Sequence, residues 1–157
     1  AVTERPDAEE MADIAVALAA KARQMGHTPR VAILSFTNFG NPESRTSVEA
    51  RRTVEILQSR DVGFEFDGEM TGDIALDYDL MKSRYPFCNL TGPANILVMP
   101  GLHSANISFK LVDQLGNVSV IGPIMIGGAH PFQIVQMGAS VRDIVQTAVL
   151  AAHDAIR

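Results

Sequence analysis

The chain has 157 residues, 46% of them apolar and 20% charged, enough for one domain with a real core and too apolar for a disordered segment. Its formal charge of -5 argues against nucleic acid and against a polybasic membrane surface, yet leaves room for an anion held by local cations or backbone N–H groups. The single cysteine, Cys88, excludes an internal disulfide framework, and no apolar run reaches the length of a membrane span. No signal peptide is recognised, so the sequons at Asn89, Asn106 and Asn117 read as chance matches. An Ala at position 1 instead of Met suggests a piece of a longer protein.

In chain order, Asp7 opens a helix, with Glu10 three residues on as the other half of a capping box. Met11, Ile14, Ala15, Leu18, Ala22 and Met25 form its apolar stripe, and Gly26 ends it. Residues 31–36 read as a buried strand, followed by a loop over 37–45 rich in turn formers. Thr46 and Glu49 open a second helix to about Ser59. Residues 64–67 alternate as a strand, 73–84 read as one helix stopped before Pro86, and 95–99 form another buried strand. A helix over 102–115 ends near Gly116, and residues 118–121 read as a fourth strand. Ser140 caps the last helix with Asp143 at its third position. The alternation predicts an α/β fold, a layered sheet with flanking helices, with ligands at the loops 37–45, 101–106 and 122–138 that follow strands.

Neither a dinucleotide fingerprint nor a P-loop is present. His27, His103, His130 and His153 lack metal-ligand spacing, so no metal site is expected. The acidic cluster Asp67, Glu69, Asp73, Asp77 and Asp79 reads as a strand end followed by a solvated helix face rather than a cation site. Cys88, beside Phe87 and Leu90, reads as a small apolar filler. Other positions keep two readings. His103 and Asn106 sit on the first turn of a helix after a strand and serve either local capping or a ligand; Lys110 is one turn on. Thr37, Asn38 and Gly40 make either a turn or a ligand loop. Gly127 and Gly128 let backbone bend or approach closely, and Met137 is either core or a ligand contact.

Read together, these loops resemble the phosphate acetyl/butyryltransferase family, and within it the carboxy-terminal domain fused to bacterial NADP-dependent malic enzymes. The segments are LSFTNFGNP from Leu34, DGEMTGDIAL from Asp67, LTGPANILVMPGLHSANISFKL from Leu90 and IGPIMIGGAHP from Ile121. The family writes G-P-[IML]-L-Q-G-x-x-K-P-[VI]-N-D-L-S-R-G. Gly122, Pro123, Pro131 and Gly138 match it, and Asp143 matches a following acid. Gln136 and Met137 stand where the family has Ser-Arg, which handle the CoA thiol and the acyl phosphate. The family's P-D-L-N-x-G-N is here Pro100 to Asn106, with the acid and first Asn lost to Gly101 and His103.

The resemblance implies an isocitrate/isopropylmalate dehydrogenase-like subdomain of the phosphotransacetylase fold. It implies a leading connector helix (1–28), the α/β subdomain (29–137) and a C-terminal helix (138–157). The function it implies is an acetyl-CoA-sensing, catalytically inactive regulatory and dimerisation module; the alternative is a phosphate acetyltransferase fragment. Expected acetyl-CoA contacts are Thr37, Asn38, Phe39, Gly40, His103, Asn106, Lys110, Ile126, Gln136 and Met137, with Gln136 and Met137 degenerate and Asp143 retained from the catalytic set. The fragment itself is expected to carry no cofactor, taking acetyl-CoA or CoA as effector. The parent, which converts malate to pyruvate, would use NADP and a divalent metal. Expected partners are a second copy, the upstream malic enzyme core and the missing half of the transferase-like domain, with a bacterial cytoplasmic location.

Overall fold

A computed structural model describes residues 3–156; Ala1, Val2 and Arg157, at the ends of the first and last expected segments, lie outside the described residues. The chain divides into two units, one up to Ser108 and one from Phe109.

The first unit contains α1 (Ala8–Gln24), β1 (Arg30–Leu34), α2 (Arg45–Ser59), β2 (Glu65–Met70), α3 (Gly72–Leu76), α4 (Tyr78–Arg84) and β3 (Ile96–Val98). The strands form a parallel sheet in the order β2-β1-β3. β1 is central, with both edges paired, and because side chains pack on both of its faces its apolar run is unbroken. Val31 and Ile33 point to α1 and α2, where they join Met11, Ala15, Ala19 and Leu57. Ala32 and Leu34 point the other way, to Met70, Ile74, Met81 and Leu90. Ala12, Ala15 and Ala19 are fully buried. Side chains this small let α1 lie close against its neighbours, so α1 is a wall of the core.

The expected capping box opens α1: the Glu10 amide donates to Asp7 at 2.9 Å and the Asp7 amide to Glu10 at 3.1 Å. Gly26 follows α1 at φ 85°, a conformation that suits glycine, while Met25 is exposed rather than part of the buried stripe. Three expectations need correction. α2 is capped by Ser44 with Ser47, not by Thr46 with Glu49. The helix expected over 73–84 is two helices, because Asp77 takes an extended backbone and its carboxylate caps α4 by accepting from the Leu80 amide. Residues 118–121 form no strand; a strand exists only through its ladder, and these residues have none among the described residues.

β2 departs from a regular ladder at its end. Ile33 pairs with Gly68 but Leu34 pairs with Met70, so Glu69 bulges out of register. A Cβ on Gly68 would lie 2.7 Å from the Ile33 carbonyl oxygen, so only glycine fits beside β1 here.

α5 (Leu102–Leu115) begins in the first unit and ends in the second, which also holds α6 (Val141–Ala155). Ser140 and Asp143 form the expected box at the start of α6. From Gly101 to Ile156 no residue is buried.

Candidate functional site

The loop after β1 is built on Glu69. The Glu69 side chain is fully buried, and its Oε1 accepts from the Thr37 hydroxyl at 3.0 Å and from the Gly40 amide at 2.7 Å. Its backbone carbonyl accepts from the Phe39 amide at 2.9 Å. Phe39 and Gly40 both take positive φ, 49° and 97°, which turns the loop back over the strand end. Arg51 of α2 covers Gly40 so closely that a Cβ there would meet the guanidinium at 2.8 Å. That guanidinium lies 3.8 Å from Glu69 and 3.6 Å from the exposed Glu43. Asn38 accepts from the Thr71 amide and hydroxyl, tying the loop to the start of α3. Thr37 is thus buried and used inside the loop, whereas Asn38, Phe39 and Gly40 are partly exposed. The Phe39 ring packs against Tyr85 and Phe87, at 5.0 and 4.9 Å between centroids.

Asp67 and Glu69 lie at the end of β2 as expected, and Asp73, Asp77 and Asp79 beyond it are exposed. Asp67 is buried, accepting from the amides of Gly68 and Asn89, and Glu65 holds the Thr91 amide and hydroxyl. Cys88 is buried next to them; burial pushes its thiol up to about 11, which fits a filler and not a nucleophile.

At the start of α5, the Glu4 carbonyl accepts from the Leu102 amide at 3.2 Å, and the Glu4 carboxylate lies 3.1 Å from the exposed His103 ring. A Cβ at Gly101 would stand 2.7 Å from that carbonyl oxygen, so the loss of the family's acid at this position makes room for the Glu4 segment. Asn106 is exposed one turn on.

Within the second unit, Phe109, Lys110, Gln136, Met137 and Asp143 line a concavity of about 200 Å³. Met137 is fully exposed and joins no core among the described residues. Lys110 lies 5.2 Å over the Phe109 ring. The Gln133 side chain clasps Met125 at two points, accepting from its amide at 2.8 Å and donating to its carbonyl at 3.0 Å, which sets the backbone beside Ile126. Gly127 has φ 77°, and a Cβ on Gly128 would meet the Phe132 ring at 2.7 Å, so this pair both bends and permits close approach. The Asp143 carboxylate faces its own helix end, accepting from the Ser140 amide and hydroxyl at 2.8 and 2.7 Å. The Ser140 hydroxyl is the main reason it is held below the usual aspartate range. Such a carboxylate is a weak base.

A concavity of about 680 Å³ opens at the opposite end of the strands, where Arg23 stacks on Phe64. It is a broad groove along the helix layer. Parallel sheets bind at the carboxyl ends of their strands, so the loop on Glu69 is the better candidate.

Sequence reading found the loop residues but not their supports. Reading Glu69 as a strand-end acid gives it no partner, and Arg51 and Gln133 have no motif to mark them.

The sequence profile of the family described as phosphate acetyl/butaryl transferase matches residues 1–152. An NADP-dependent malic enzyme from Rhizobium meliloti is 46% identical over 99% of this chain and 20% of its own length. A phosphate acetyltransferase from Paracoccus denitrificans is 36% identical over 94% of this chain and 47% of its own. The crystal structure of a phosphotransacetylase from Streptococcus pyogenes superposes with a TM-score of 0.92 at 33% identity, over 99% of this chain and 47% of that one. The chain thus spans about half of these transferases and about a fifth of the malic enzyme. With the profile running over nearly all of it, the chain belongs to the phosphate acetyl/butyryl transferase family.

Proposed function

We propose that the chain is the transferase-like part of an NADP-dependent malic enzyme, where it senses acetyl-CoA, regulates the parent allosterically and pairs with a second copy, without acyl transfer of its own. The observation that carries this reading is the pair Gln136 and Met137 at the positions of the family's Ser-Arg. A fully exposed thioether offers no forked cation for a phosphoryl group, and an amide offers no hydroxyl to a thiol. The depressed Asp143 carboxylate, occupied with its own helix cap, is poorly suited to accept a thiol proton. Binding needs less than catalysis does. On the first unit the contacts are Asn38, Phe39 and Gly40, in a loop that Thr37 shapes from within, with His103 and Asn106. On the second they are Lys110, Ile126, Gln136 and Met137. The greater identity to the malic enzyme than to the transferase supports the parent. A second reading, a diverged phosphate acetyltransferase, draws on the Streptococcus structure and the Paracoccus relative.

The full-length parent tests both. Acetyl phosphate and CoA should give no turnover, and acetyl-CoA should inhibit malate oxidation. Asn106→Ala with Lys110→Ala should raise the half-inhibiting concentration at least about fivefold, a weakening within the usual range of allosteric coupling. Turnover at the rate of an ordinary transferase would favour the second reading; unaltered inhibition in the double variant would remove Asn106 and Lys110 from the sensor.

A further inference from the structure

We infer that Glu69 is the positioning residue of the 37–40 loop: it touches no ligand itself but sets the loop shape on which acetyl-CoA affinity depends, an inference that rests on the proposed function above. Four observations converge. Gly68, with no room for a Cβ, lets β2 slip register and turns Glu69 out of the ladder. The buried carboxylate accepts from both ends of the turn, Thr37 and Gly40, while its own carbonyl takes the amide between them, Phe39. Those three bonds hold Phe39 and Gly40 at positive φ, a shape the free loop would seldom keep. Glu69 Oε2 has no hydrogen-bond partner among the described residues, although it is buried. A carboxylate kept in that setting is costly for stability alone. An apolar side chain of similar size would fill the space but accept neither bond, so a hydrogen-bond acceptor at this position points to a demand for loop geometry. Arg51 completes the arrangement from α2, approaching Glu69 and Glu43 and lying across Gly40.

The test uses the full-length enzyme with Glu69→Gln, Glu69→Ala and Thr37→Val, and reads three quantities. Calorimetric titration with acetyl-CoA should give Glu69→Gln an affinity within about threefold of wild type, since the amide oxygen still accepts both bonds. Glu69→Ala should bind at least about tenfold more weakly, the scale of losing hydrogen bonds to a charged group. Thr37→Val keeps the shape, removes one donor and should fall between them. Without ligand, hydrogen exchange of the 36–44 segment should speed up in Glu69→Ala and Thr37→Val but not in Glu69→Gln. Thermal melting identifies variants that remain folded. Folded Glu69→Ala that binds acetyl-CoA as wild type does would overturn the inference by leaving Glu69 a merely structural role. If Glu69→Ala does not fold, Thr37→Val decides, and wild-type affinity with unchanged exchange in that variant would overturn it. Wild type that takes no acetyl-CoA would end the functional reading and the affinity role together, while the exchange rates would still tell whether Glu69 holds the loop.

Discussion

Asp143 stands at an acidic position of the family and caps its own helix. The Ser140 hydroxyl and amide favour its charged form in the folded state, so its folded pKa lies below the unfolded value. The stability this confers is complete above the unfolded aspartate value of about 4 and is lost as acid titrates the folded carboxylate. Thermal unfolding of wild type and Asp143→Ala, followed from neutral pH to about pH 2, should show wild type more stable at neutral pH and the two converging in acid. A gap that persists unchanged into acid would refute the assignment. The Ser140–Asp143 box was legible because a cap is a local pattern with fixed spacing. Glu69 was not, because its partners lie 29 and 32 residues away and only the fold brings them together. Gln133 escaped for a different reason: its partner is backbone, which no side-chain motif records.

At the scale of elements, α1 was readable from its cap and stripe, α2 was placed although its cap was assigned two residues late, and the unbroken apolar run marked β1 as buried. The helix over 73–84 was misread because the periodicity continues across Asp77, whose backbone is nevertheless extended. The strand over 118–121 was misread because short apolar runs do not reveal whether a pairing partner exists. The layer of α1 and α2 on the sheet carries much of the first unit's stability, and Leu57 sits fully buried within it. Leu57→Ala should cost about 2–5 kcal/mol in urea unfolding, whereas Val48→Ala on the exposed side of α2 should change it by less than about 0.5 kcal/mol. Equal effects would mean that this layer is not the core it resembles.

Taken whole, the molecule is uneven. The first unit has two buried clusters on either side of its sheet. The second buries none of its described residues, leaving Leu111, Val112 and Leu115 on α5 and Ile144, Val145 and Val149 on α6 exposed. Apolar surface of this kind marks a place where protein is meant to cover it. The proposed pairing with a second copy therefore predicts a sedimenting species of about twice 16.9 kDa at micromolar concentration, and a soluble monomer across that range would count against it. The family resemblance was legible in separated motifs from about Pro29 onward, and the family profile extends the match to residue 1. That so much of the later sequence would find no core was not, since apolar composition records what a chain can bury and not what is present to bury it.

The strand order β2-β1-β3 also has a consequence on the ribosome. β1 gains its first neighbour once Met70 has emerged, but its other edge stays bare until Ile96 to Val98 arrive. At about 5–20 residues per second that delay lasts seconds, far longer than a short strand takes to find an unwanted mate. A nascent chain halted between these points should be a better substrate for chaperones than one halted beyond Val98, so the vulnerable moment in this protein's life is set by the order in which its sheet is assembled.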